Sequence, residues 1–251
     1  MPDYPFPENC RGAVSLTFDD ALPSQFDIAV PMLNEQGLLG TFYIHPKGTD
    51  GQWQERLAPW KAVAQQGHEI GNHSLGHVCS RGYRDAWDGR CLETVTLDFI
   101  ETDVMEADRR LNEAIGELER SFAYPCYESF VGEGEARQSY VPVIARHFAA
   151  ARARGDFPNY PRTCQMHHLW SQGGERKSGE NLIGMVSAAA TKGQWLILAF
   201  HGINAGHLPV ADFDFHALCE YLSLEREEIW TAPVITVAKR IAEWRTAQPQ
   251  E

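Results

Sequence analysis

Short apolar runs, each followed by a stretch with helical periodicity, recur along almost the whole chain. Residues 13–18 read as a strand ending in Asp19-Asp20, and 23–36 as a helix stopped by Gly37. The pair repeats as a strand over 41–44 and a helix over 53–66 closed by Gly67, followed by a short extended segment over 68–72. Ile100, Val104, Ala107, Leu111, Ile115 and Leu118 recur at spacings of three and four, which predicts the longest helix. Residues 122–125 and 150–154 read as strands, 139–149 and 181–190 as helices, and 195–200 as a buried strand that delivers His201. Helices over 213–224 and 234–247 close the chain around a short strand near 229–232. Strands alternating with helices imply a parallel sheet, because each parallel pair needs a crossover. Six or seven units in one domain suit a closed (β/α) barrel better than an open sheet. Asp19, Asp20, His73 and His201 each fall just after a strand, at the rim where parallel barrels gather their chemistry.

With 251 residues, 43% hydrophobic, the chain can fill a sizeable core as a single domain over 1–251, its core taken as about residues 11–245. The formal charge of −12 lacks the basic footprint of a nucleic-acid binder. No apolar run approaches the ~18 residues that span a membrane. Residues 1–11 show neither a basic nor an apolar leader segment, so the default expectation is a cytoplasmic protein, with a mature secreted form as the alternative. The oligomeric state is not encoded legibly. The six cysteines form no CxxC pair and are expected to be reduced thiols; Cys79 and Cys91 are the pair close enough in sequence to bridge.

His73 and His77 stand four apart in Gly71-Asn72-His73-Ser74-Leu75-Gly76-His77. On a helical turn, such positions share a face and both imidazoles reach one ion. Asp20 could add an oxygen ligand. Two nitrogens, one carboxylate and open positions describe a hydrolytic zinc-type site, which nickel, cobalt or manganese also fit. His167-His168 is expected in a loop, since adjacent histidines point in different directions. His45, His147, His207 and His216 lack a partner pattern and read as structural or surface residues.

Leu16-Thr17-Phe18-Asp19-Asp20 and the segment from Gly67 to His77 resemble the first two motifs of the polysaccharide deacetylase family, also known as the NodB-homology or carbohydrate esterase 4 family. Phe122-Ala123-Tyr124-Pro125, Leu198-Ala199-Phe200-His201 and Trp230-Thr231-Ala232-Pro233 resemble its later motifs, in the same order. The resemblance implies a distorted (β/α) barrel of seven units. It also implies a metal-dependent hydrolase that removes N- or O-linked acetyl groups from a carbohydrate. Asp20, His73 and His77 would hold one divalent ion, zinc first. Asp19 would take the proton from the ion's water, His201 would act as general acid, and the backbone N–H of Cys126 would donate to the oxyanion.

Departures from the family pattern fall mainly in its third motif, Arg-x-Pro-Tyr, which here reads Ala123-Tyr124-Pro125-Cys126. The arginine that supports the base is therefore missing there. Arg154 is the first candidate to replace it and Arg152 the second, with Asp156 a candidate to orient His201. Ala21 stands where glycine is usual. Tyr127, Trp87 and Trp170 are the candidate sugar contacts, N-acetylglucosamine-containing glycans the first expected substrate and acetylated xylan the second. Two other readings share the fold: an allantoinase-like hydrolase of a small-molecule C–N bond, and a carbohydrate-binding protein with impaired catalysis.

Overall fold

The first strand shows how the sequence divides between the inside and the outside of the fold. In β1 (Gly12–Asp19), every residue is buried, yet apolar and polar side chains alternate. Val14, Leu16 and Phe18 join the apolar layer under the helices, while Ser15, Thr17 and Asp19 point the other way. The computed structural model describes residues 4–7, 9–83 and 90–248.

β2 (Thr41–Ile44), β3 (Glu69–Asn72) and β4 (Phe122–Ala123) follow β1 in parallel register. A small antiparallel hairpin, β5 (Phe130–Val131) and β6 (Gln138–Ser139), stands apart. β7 (Ala151–Arg154), β8 (Leu169–Gly173) and β9 (Trp195–Phe200) complete the sheet, and β9 pairs with β1 from Ala13 to Phe18. The result is a closed seven-stranded parallel barrel, as the alternating pattern implies. β10 (Ile229–Thr231) joins β1 over Gly12–Val14, whereas β2 joins it over Thr17–Asp19. One edge of β1 thus serves two strands in succession, which is the local irregularity of the barrel.

The helices are α1 (Val30–Glu35), α2 (Gln52–Gln65), α3 (Leu97–Ile115), α4 (Val141–Ile144), α5 (Gly179–Thr191), α6 (Asp212–Leu224) and α7 (Val234–Ala247). α3 buries Ile100, Val104, Ala107, Leu111 and Ile115 of the stripe read from the sequence, while Leu118 lies beyond its end and is exposed; Thr96 caps its first turn by accepting from Phe99 N. The helix expected over 23–36 begins instead with a π-helical turn (Gln25–Ala29) before α1. Of the helix expected over 139–149, only α4 forms; Ser139 is drawn into the hairpin and residues 145–149 form turns and a bend. β8 lies where a loop was expected after His167-His168. Its inner position Ser171 bonds to Ala153 O and Arg152, so the strand lacks the apolar run that would announce it. His167 and His168 themselves form a short turn before it, bonded to Phe148 O and Ser129.

The barrel interior is layered. Apolar residues, among them Ala13, Leu169, Trp195 and Ile197, pack against α7 at the N-terminal end of the strands. Above them lies a buried polar network centred on Glu69. Its carboxyl accepts from Ser121 N and Oγ (both 2.6 Å), Thr41 Oγ1 (2.9 Å) and Ile235 N (3.0 Å). Burial raises the Glu69 pKa above the usual value despite those donors. The network ties β2, β3 and β4 to the start of α7. No described helix is long and apolar enough to cross a membrane.

Candidate metal centre

The C-terminal ends of β1, β2, β3, β7 and β9 bring Asp19 and Asp20, His45, His73, Arg152 and His201 to one rim. Asp20 Oδ1 lies 3.3 Å from His77 Nε2, 3.5 Å from His45 Nε2 and 3.8 Å from His73 Nε2. Donor atoms of Asp20, His73 and His77 all lie within 4.8 Å of one another. The set read from the sequence is therefore brought together.

The route by which His73 and His77 converge differs from the helical turn expected. The segment after β3 is a loop in which Ser74 (φ 61°) and His77 (φ 49°) are left-handed. Side chains satisfy its amides. Leu75 N and Gly76 N donate to Asp103, Ser74 N to Asn72 Oδ1, and His77 N to Ser74 Oγ. A Cβ at Gly76 would stand 2.9 Å from Asp103 Oδ1 and would push that accepting carboxylate aside.

The protonation chemistry suits a divalent cation. His73 Nδ1 lies 2.9 Å from Ala123 O. A carbonyl only accepts, so the proton sits on Nδ1 and the Nε2 lone pair faces Asp20. Burial, reinforced by His73, pushes His77 down to about 2, and burial lowers His73 as well. Both imidazoles are thus held neutral. Burial opposes ionisation of Asp20, but the His45 contact and the neighbouring imidazoles outweigh it, leaving its carboxyl well below the usual range. Neutral imidazoles beside an ionised carboxylate form the protonation state a metal requires.

Asp19 points to the other side of the same rim. Arg152, fully buried on β7, places Nη2 2.5 Å from its Oδ1 and 2.6 Å from its Oδ2. Arg152 Nη1 is anchored on Ser171 Oγ at 3.1 Å. This corrects the order expected for the two arginines. Arg154 shares the inward face of β7 but lies one step nearer the rim, exposed, with its guanidinium 5.7 Å from the Tyr127 ring. The Tyr43 ring lies against Arg152 at 4.9 Å. Glycine at position 71 makes this possible, since a Cβ there would meet the Tyr43 ring at 2.4 Å.

His201 Nε2 stands 3.9 Å from Asp19 Oδ2. Its Nδ1 is buried and has no hydrogen-bond partner among the described residues. Asp156 is exposed and does not orient it, contrary to expectation. The His207 ring lies 5.4 Å from its own. Gln25 links the ends of β1 and β9 by donating from Nε2 to Asp19 O and His201 O.

His45 and His207, read from sequence as bystanders, therefore both reach the rim. A signal for His45 exists in the strand itself. It continues the inward parity of Thr41 and Tyr43 one step beyond β2. His147 and His216 pair elsewhere, with Glu101 and Glu220.

Cys126 closes a tight turn after β4 with φ 51°, followed by Tyr127 at φ 62°. Burial pushes the Tyr127 hydroxyl up to about 12. Cys126 is bonded to Cys79, with their Cα atoms 5.7 Å apart. The bond overturns the expectation that all the cysteines are reduced, and Cys91, the partner weighed for Cys79, is a free thiol. Loops after adjacent barrel strands face each other across the rim, so proximity in the fold overrides proximity in sequence. Trp170 lies on the outward face of β8, 6.3 Å from Phe157, while Leu169 and Ser171 face inward. It thus faces away from the rim chemistry. Trp87 lies outside the described residues.

Residues 7–129 match the family described as polysaccharide deacetylase. The match spans 123 of the 251 residues, and over it the chain is similar to polysaccharide deacetylases. Among solved structures, a protein from Pseudomonas aeruginosa PAO1 assigned as a polysaccharide deacetylase superposes with a TM-score of 0.67 at 12% identity, covering 100% of this chain and 96% of that one. A family 4 acetyl xylan esterase from Clostridium thermocellum, in complex with a cobalt ion, gives 0.53 at 15% identity over 90% and 91%. A family 4 pseudoenzyme from Bacillus anthracis gives 0.56 at 15% identity over 95% and 66%. At these identities the likeness is one of fold. No curated protein matches in sequence.

Proposed function

We propose that the chain is a metal-dependent hydrolase that removes N- or O-linked acetyl groups from a carbohydrate. One observation carries this reading. An Asp20–His73–His77 donor set stands beside a second carboxylate, Asp19, which is held by Arg152 and takes no part in that set. A divalent ion in the set would acidify a water and polarise the acetyl carbonyl; zinc comes first, while nickel, cobalt and manganese suit the same donors.

The chain's own groups supply the rest. Asp19 takes a proton from the attacking water, its two oxygens fixed by Arg152. The Cys126 N–H donates to the oxygen on which negative charge develops. His201, beside Asp19, protonates the leaving nitrogen or oxygen from Nε2. Tyr127, whose ring centre lies 5.4 and 5.7 Å from the Arg152 and Arg154 guanidiniums, is the aromatic candidate for a sugar contact. Glycans containing N-acetylglucosamine are the first substrate to try and acetylated xylan the second.

The non-catalytic reading has one support, the altered third motif, since an inactive barrel of this shape exists. Arg152 speaks against it, because its guanidinium holds Asp19 from the next strand of the barrel. Incubation with acetylated chito-oligosaccharides, acetylated xylan and a cyclic ureide should yield acetate from one of the first two. Chelation should abolish that release, and Asp19→Asn should keep the metal yet lose turnover. Full turnover after metal stripping would overturn the mechanism. Sugar binding without acetate release in the metal-loaded protein would favour the non-catalytic reading.

A further inference from the structure

His77 faces two ways. Its Nε2 points to Asp20, while its Nδ1 lies 3.7 Å from Cys79 Sγ. Donor atoms of His77, Cys79 and Cys126 form a second group within 4.8 Å of one another. We propose that reduction of the Cys79–Cys126 disulfide opens a second metal site, made by those two thiolates and the His77 imidazole, for a soft divalent ion such as zinc or cobalt.

The donors fit that ion class. Two thiolates and one imidazole, with a fourth position left for water, form a known zinc set. Zn–S and Zn–N bonds at tetrahedral angles put nitrogen and sulfur about 3.6 Å apart, close to the spacing His77 and Cys79 already show. The two cysteines are also held together by the fold, since their loops follow the adjacent strands β3 and β4. Thiolates select soft metals over magnesium or calcium.

The redox step balances with a dithiol as reductant. Cys79 is buried and Cys126 is half-buried, so the incoming thiolate attacks Cys126 Sγ and Cys79 leaves. The second thiol of the reductant then displaces Cys126 and closes a cyclic disulfide. Two electrons pass to the protein, and each cysteine sulfur takes one proton. Metal binding afterwards releases both protons to solvent.

Sharing His77 couples the two sites. A neutral imidazole has one lone-pair nitrogen, so His77 serves Asp20 and His73 through Nε2 or the thiolates through Nδ1, one at a time. Occupation of the thiolate site leaves the first set with two donors. The thiolate site itself does not depend on the deacetylase reading.

Cobalt(II) titration of the oxidised and the phosphine-reduced protein tests this directly. The reduced chain should gain intense thiolate-to-cobalt charge-transfer absorption in the near ultraviolet, saturating at about one equivalent, which the oxidised chain lacks. Cys79→Ser and Cys126→Ser should each remove most of it, with far-ultraviolet circular dichroism as the fold check. Asp20→Asn and Cys91→Ser should retain it. The proposal is overturned if the reduced wild-type protein, with all six thiols counted by a thiol reagent, shows no such absorption. Absorption that survives in the doubly substituted chain would overturn it equally, since it would belong to the other cysteines.

Discussion

Arg152 and Asp19, 133 residues apart, meet inside the barrel with one guanidinium nitrogen within hydrogen-bonding distance of both carboxylate oxygens. Neither charge has ready access to water, so each depends on the other. Attraction to Asp19 outweighs the burial cost of Arg152 and raises its pKa further above the usual range.

Removing the guanidinium should be expensive for both folding and turnover. Arg152→Met should cost about 3–5 kcal/mol in urea unfolding, because it strands a buried carboxylate. Acetate release should fall by at least about 100-fold through loss of Asp19 alignment. Arg154→Ala, at an exposed position, should shift stability by less than about 0.5 kcal/mol. The reverse ranking would restore Arg154 as the supporting residue.

His45 offers a second contrast. Its Nε2 lies 3.5 Å from Asp20 Oδ1, and its ring is 5.6 Å from that of His77. Residues that hold a ligand typically matter about 10–100-fold for metal affinity. His45→Gln should therefore weaken zinc binding by that factor in a chelator competition while leaving the circular dichroism spectrum unchanged. Equal affinities in the two proteins would remove His45 from the centre.

Acid sensitivity should trace in part to His68, away from the rim. Its Nδ1 accepts from Gly40 N and its Nε2 faces Asn34 Oδ1, both at 3.0 Å, which is the neutral tautomer. Burial pushes His68 down to about 4, from the usual imidazole value of about 6.5. The unfolded chain therefore binds the proton first. The stabilisation is complete above pH 6.5 and is lost as pH falls towards 4, by at most about 3 kcal/mol. Urea midpoints measured between those pH values should fall more steeply for the wild type than for His68→Gln. Parallel slopes would show that His68 contributes nothing to acid unfolding.

Backbone conformation supplies a stabilising test. Ala21 has φ 51°, a region costly for any residue with a Cβ. Ala21→Gly should raise stability by about 1 kcal/mol, a gain of about 2–4 °C in Tm by calorimetry. A fall in Tm would mean that the alanine methyl contributes packing worth more than the strain.

The barrel was legible because its strands carry apolar residues on the outward face at regular intervals, and β2, β9 and α7 match the expected ranges. The chain was hardest to read where the interior is polar. Ser171 conceals β8, and the hairpin displaces a predicted helix. Strand parity puts Arg152 and Arg154 on one face but says nothing of depth, which is set by register against β4 and β8. The Asp20, His73 and His77 positions could be read directly, although the loop geometry that joins the two histidines could not. The Cys79–Cys126 bond could not be foreseen, since it depends on which strands become neighbours.

β1 has one further consequence, for the order in which the chain acquires structure. It is the first strand made, but its partners include β9 and β10, about 180–220 residues later. Contacts that distant slow folding, and no growing chain can complete β1 until nearly all of it has been synthesised. The segment that carries the family signature, residues 7–129, lacks both of those strands. A fragment ending there should show no cooperative unfolding transition in urea. The part of the molecule easiest to recognise thus depends for its shape on the part that is hardest.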